Sequence, residues 1–266
     1  MNGSEPRVSW LPAVAAVLIL GATGCTSAGT DDRRGDAHSG LTSSPAAGPE
    51  TPTESQTPQD PVLSPRPGEV IELDQHGPEY VFTKAGRYAV RLTPELEYEV
   101  DAPEMWEVYR GRYFSTSDFS GGTGVFSVAG PLTEAWLPAH PCRDRVLVPV
   151  GPTARDLADA LAAQSVLDVT RPKAVSIAGG HGVYVEVRIP DRVNSAACQG
   201  GGVALFTWRR PPDWWELSAG NAVTYWILDV DGQRLVLAGF CETTCTDADL
   251  EVLTGMAESV TFTHHH

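Results

Sequence analysis

The side chains able to do chemistry in this chain are few, and the cysteines lead them. Cys142, Cys198, Cys241 and Cys245 are four of the five in the sequence. An even set in a chain that leaves the cytoplasm reads as two disulfides. Four cysteines admit three connectivities; Cys142–Cys198, closing a long loop, with Cys241–Cys245, closing a short one, is the expected pair. The Cys241-x-x-x-Cys245 spacing is looser than the CxxC pairs of structural zinc or thioredoxin-type redox sites, and His76, His140 and His181 lie far from it in sequence. No metal and no cofactor are expected. Acyl-transfer chemistry on a strand-to-helix elbow needs GxSxG, and Val175-Ser176-Ile177-Ala178-Gly179-Gly180 lacks the first glycine. His181 among glycines is the best-placed general base, but its setting reads first as a turn entering a strand. Asp229-Val230-Asp231-Gly232 matches part of a calcium loop, yet Ile227 stands at the first ligand position, and hairpin chemistry explains the run. Gly200-Gly201-Gly202 reads as a turn rather than a phosphate cradle. Catalytic residues are therefore none, and the chain reads as a non-enzyme.

The fifth cysteine carries a different chemistry. Residues 10–20 are almost wholly apolar, too short a run to span a bilayer but the length of an export signal's core. Ala22, Thr23 and Gly24 then lead into Cys25. This pattern resembles the bacterial lipobox. The resemblance implies cleavage before Cys25 and a diacylglycerol on its sulfur, with further acylation of the new amino terminus. Each buried CH₂ contributes about 0.8 kcal/mol, so two or more chains hold a protein at a membrane. The expected place is extracytoplasmic, anchored by lipid to the cell membrane, with residues 1–24 as the signal peptide.

Residues 25–66 follow as a tether. In 26–66, 26 of 41 positions are Ala, Gly, Pro, Ser or Thr, and no aromatic occurs. Such a stretch cannot bury enough surface to offset its ordering entropy. As a coil it would span about 35 Å. Residues 67–263 hold six of the seven tryptophans and are long enough for one substantial core, so a single domain is expected, closed by a three-histidine tail at 264–266. The whole chain carries a net charge of −15. This disfavours nucleic acid, which needs a basic stripe, and leaves membrane attachment to the lipid. A monomer is expected.

Short β-like runs dominate the domain. Expected strands lie at 79–83 and 86–92, joined by Lys84-Ala85 as a hairpin, then at 96–100, 106–114 and 124–128. The run 182–190 alternates cleanly, with Val183, Val185, Val187 and Ile189 on one face. Strands at 222–230 and 233–240 flank Asp231-Gly232, a strong hairpin signal. Thr153 and Thr246 are expected to cap helices at 154–164 and 247–258. The expected class is α+β: a mostly antiparallel sheet covered by about two helices.

The order of these pieces resembles a group of actinobacterial exported lipoproteins. The features that carry the resemblance are Gly86-Arg87-Tyr88, Pro103 to Trp106, Pro141-Cys142, the helix from Thr153, the turn 175–182, the Leu228-Asp229-Val230-Asp231-Gly232 hairpin and the Ser259-Val260-x-Phe262 end. The resemblance implies a PsbP-type α/β/α sandwich, as in the LpqN-like lipoproteins, and a binding or assembly role rather than catalysis.

The remaining functional lead is aromatic. Phe206, Trp208, Trp214, Trp215, Tyr225 and Trp226 crowd one stretch, interrupted by Arg209-Arg210-Pro211-Pro212-Asp213. Trp214 and Trp215, with Arg209 and Arg210, form the expected surface for a ligand or partner. The expected function is a lipid-anchored envelope protein whose domain binds a partner protein or envelope component. The alternatives are a carrier of a lipid or small apolar ligand, or an envelope hydrolase built on carboxylate pairs.

Overall fold

A computed structural model describes residues 61–119, 122–143, 145–208, 212 and 215–265. Cys25, the export signal and the tether up to residue 60 lie outside the described residues. So do Arg209, Arg210 and Trp214.

Strand makes up 46% and helix 13% of the described structure, arranged in several sheets. This corrects the expected α+β sandwich of one sheet covered by helices, and with it the PsbP-like layering. Period-two runs fix where strands lie but not which sheet each joins, because pairing is a long-range choice. The main sheet has ten strands. Its order runs Val62–Leu63, Tyr80–Thr83, Glu107–Tyr109, Tyr113–Phe119, Gly122–Ala129, Gln233–Cys241, Ala222–Val230, Gly180–Arg188, Asp168–Val169. Lys173–Ile177 also pairs with Gly180–Arg188. A second sheet of four strands orders Thr261–His264, Leu96–Ala102, Gly86–Thr93 and Val70–Glu72. Two short ribbons pair Trp136–Pro138 with Leu147–Pro149, and Val203–Ala204 with Glu216–Leu217.

The Lys84-Ala85 hairpin does not form. Tyr80–Thr83 belongs to the main sheet and Gly86–Thr93 to the four-stranded one, so the chain crosses between sheets here. The Thr83 N–H donates instead to the Trp106 carbonyl at 2.8 Å. The expected strand 106–114 is also two strands. Arg110 and Gly111, at φ 48° and 59°, fold it into a hairpin that pairs Tyr109 with Tyr113.

Both helices form as expected. α1 (Ala154–Ala162) and α2 (Asp247–Ser259) open on capping boxes, Thr153 with Asp156 and Thr246 with Asp249. The main sheet is packed on both faces along its central strands. One core joins it to the four-stranded sheet and α2 through Tyr88, Tyr98, Phe114, Phe126, Trp226 and Leu253. The other lies under α1, where Leu157 and Leu161 meet Val183, Val185, Val187 and Ile227. A strand buried on both faces must be apolar throughout, and Tyr225-Trp226-Ile227-Leu228 supplies successive residues to alternate cores.

The chain pairs Cys142 with Cys198, and Cys241 with Cys245. The second bridge closes the reversal from the end of the Gln233–Cys241 strand to the cap of α2. At the other end, Val62–Leu63 lies parallel to Phe82–Thr83 as an edge strand, so the fold begins ahead of residue 67. Lys84 N–H and the Tyr88 hydroxyl both donate to the Leu63 carbonyl, at 2.8 and 3.1 Å. Of the terminal histidines, His264 ends the last strand with Nε2 3.1 Å from Asp231 Oδ2.

Candidate ligand-binding face

Alternation in the outer strands of the main sheet places two different surfaces back to back. Val81, Val108, Phe114 and Phe126 point into the core beneath the four-stranded sheet. Their neighbours in sequence point the other way. Tyr80 stands opposite Tyr109, Tyr109 opposite Tyr113, and Tyr113 opposite Ser127, so one row of side chains crosses four strands. Phe82, Glu107, Ser115 and Val125 make the next row. Directly opposed residues share a sheet face and lie close enough to interact.

The first row is an aromatic ladder. The rings of Tyr80 and Tyr109 are 5.1 Å apart at the centroids and inclined by 41°; those of Tyr109 and Tyr113 are 6.4 Å apart and inclined by 36°. Tyr80 is 48% exposed and Tyr113 43%. Arg110 lies over the Tyr109 ring at 5.0 Å and is held by Glu79 at 3.6 Å. Desolvation pushes the Tyr109 hydroxyl's pKa up, Glu79 adds to the rise, and Arg110 opposes it. The hairpin that sets Tyr109 against Tyr113 depends on Gly111. It has a positive φ, and a Cβ there would lie 3.0 Å from the Asp74 carbonyl carbon. The face thus offers three uncharged, half-open rings edged by hydroxyls, a carboxylate and a guanidinium. It can stack flat apolar surfaces and hydrogen-bond their polar rims.

The sequence-based lead fares differently. Trp215 is half-buried as a wall of the α1-side core, 6.4 Å from Phe206 and 5.8 Å from Tyr225 between ring centroids. Trp214, Arg209 and Arg210 fall outside the described residues. The tyrosine ladder was missed for a local reason: with 106–114 read as one strand, Tyr109 and Tyr113 are not opposed. Outward tyrosines alternating with buried apolar residues, plus a positive-φ turn at Arg110-Gly111, are the signal that finds it.

A serine, a histidine and an aspartate do come together on the main sheet. Ser176, His181, Asp229 and Arg234 lie opposite one another on four successive strands. Ser176 Oγ is 2.7 Å from His181 Nδ1, and both residues are exposed. Both Asp229 carboxylate oxygens accept from the Ala154 N–H, at 3.1 and 3.2 Å, capping α1. Arg234 is 2% exposed and donates to the Gly151 and Thr153 carbonyls. Burial lowers its pKa, against the pull of Asp229 and Asp156. Asp229 and Arg234 direct these hydrogen bonds to the backbone at the start of a helix.

A cleft of about 340 Å³ opens between the far strands and the start of α2, lined by Thr170, Glu186, Thr224, Cys245 and Leu250. Beside it the Tyr184 hydroxyl donates to Glu186 Oε1 at 2.6 Å; burial and that carboxylate push the Tyr184 pKa up. Among the described residues no group of three or more His, Cys, Asp or Glu is placed to hold a metal ion. In comparisons with known proteins, no family model, curated protein or solved structure matches this chain.

Proposed function

We propose that this chain is a lipid-anchored cell-envelope protein whose domain binds an envelope component non-covalently, without catalysis. The observation that carries the reading is the Tyr80–Tyr109–Tyr113 ladder, whose end rings stand 48% and 43% exposed among the described residues. Three supports stand beside it. The lipobox-like sequence ending in Cys25 supplies the anchor. Two disulfides fit an oxidising compartment. The hydrogen bonds of Asp229 and Arg234 serve the cap of α1 and not the Ser176–His181 pair.

The test separates the face from the anchor. The Cys25→Ala chain, with and without Tyr80→Ala/Tyr113→Ala, is mixed with isolated envelope and sedimented. Retention that falls at least fivefold with the tyrosine pair supports the reading. Equal retention of the two chains, at equal thermal stability, refutes the face as the binding surface.

A further inference from the structure

We infer that the occupant of the tyrosine face is an uncharged polysaccharide strand, an inference that rests on the face being the binding surface. The ladder has the shape of an elongated site. Its rings advance in one line by 5.1 and 6.4 Å across three strands, a step set by the strand spacing of about 4.8 Å. A pyranose presents a flat C–H face to an aromatic ring while its hydroxyls project from the rim. Successive sugars of an extended chain can therefore sit on successive rings. Glu79, Arg110, Glu107 and Ser115 border the ladder as donors and acceptors for those rims.

Charge and topology rule against the other stacking ligands. Single-stranded nucleic acid also stacks on tyrosine, but it needs a positive groove along its backbone. Here the chain is −15 overall, and Arg110 is already paired with Glu79. The same charge disfavours anionic polymers and anionic lipid headgroups. A peptide docking on a sheet gains its main-chain hydrogen bonds at an edge. Beside Phe82–Thr83 that edge carries the short strand Val62–Leu63, with Phe82 N–H donating to the Pro61 carbonyl at 3.0 Å, and a strand added there would be held by backbone and not by the tyrosine rings. The tyrosine face itself offers side chains for stacking and not backbone for strand addition.

The experiment is calorimetric titration of the full chain with cellohexaose, the N-acetylglucosamine hexamer and mannohexaose. Hexagalacturonate serves as the anionic comparator, and the monosaccharide of any binder as the length control. At least one neutral hexamer is expected to bind, at least tenfold more tightly than its monosaccharide and than hexagalacturonate. Tyr80→Ala and Tyr113→Ala should each weaken it at least threefold, and the double variant at least tenfold. Their far-ultraviolet circular dichroism should be unchanged. If the double variant loses its fold, the single variants decide the matter. Failure of every neutral hexamer to bind overturns the inference, as does binding that ignores the tyrosines or tighter binding of hexagalacturonate. Should the tyrosines still govern envelope sedimentation while no hexamer binds, the polysaccharide is refuted and the binding face stands. Should they govern neither, both fall.

Discussion

Replacing Cys142 and Cys198 together by alanine should cost this domain about twice the stability lost on replacing Cys241 and Cys245. The bridged residues are 56 apart in the first pair and 4 apart in the second. Treating a bridge as a constraint on the unfolded chain gives about 4 kcal/mol for the long loop and about 2 kcal/mol for the short one at 25 °C. Packing does not reverse the order, because each pair includes a buried sulfur: Cys198 is 6% exposed and Cys241 is fully enclosed. For a domain of this size these losses correspond to roughly 8–16 °C and 4–8 °C in midpoint temperature. Urea unfolding of the two double variants and the native chain measures the difference at constant slope. Against a typical stability of about 5–15 kcal/mol, losing both bridges would remove a large share of it. An equal or larger loss from the short bridge would refute the loop-entropy argument. A loss under about 1 kcal/mol from the long bridge would show that the domain does not depend on it.

Two further outcomes follow from close packing and burial. At Gly182 a Cβ would lie 1.9 Å from the Ile227 carbonyl oxygen on the neighbouring central strand, a backbone atom with no room to yield. Gly182→Ala is therefore expected to reach or exceed the upper end of the roughly 1–3 kcal/mol cost of overpacking; soluble yield and melting temperature check it, and a near-native melt would sink it. Alkali should unfold the domain through its tyrosines. Burial pushes Tyr88 up to about 12, and Tyr98 and Tyr225 are raised by burial as well. An unfolded tyrosine ionises near pH 10. The folded form then holds more protons above that pH. The stability from these groups is complete below pH 10 and is lost as pH rises from 10 through the raised folded values. Tyrosinate absorbance and circular dichroism should change together in one cooperative step above pH 10; tyrosinate formation with the dichroism intact would contradict it.

Much of the architecture was legible because some signals are local. Thr153 and Thr246, each followed three residues later by an aspartate, mark helix starts that form where expected. Asp231-Gly232 turns a two-residue hairpin between strands whose unbroken apolar runs reflect burial on both faces. The strand around Val183 to Ile189 points its valines into the α1-side core as its alternation requires. Sheet membership was not legible. Thr83 and Gly86 sit three residues apart, yet the strand ending at Thr83 pairs with residues 107–109 and the strand beginning at Gly86 with 96–102. Nothing within that window distinguishes a hairpin from a crossing between sheets. The Arg110 turn was hidden for the opposite reason: a non-glycine residue at φ 48° breaks what reads as one continuous strand.

The two halves of one sheet face show why the ladder is a surface and not an unfinished core. Under α1 the inward positions are mostly Val183, Val185, Val187, Val223 and Ile227, with Tyr225 as the one polar-tipped side chain of this group, fully buried. On the outer strands the corresponding positions are Tyr80, Tyr109, Tyr113, Glu107 and Ser115, none of them fully buried, beside the apolar Phe82 and Val125. A row of opposed tyrosines also steadies the sheet, by about 0.2–1 kcal/mol per cross-strand pair. Phenylalanine would stack as well, so sheet stability alone does not require three hydroxyls in line. Nor does it require the end rings to stand 48% and 43% exposed. The binding role proposed for this face would account for both: hydroxyls that keep it soluble when empty, and open rings that stack when it is filled.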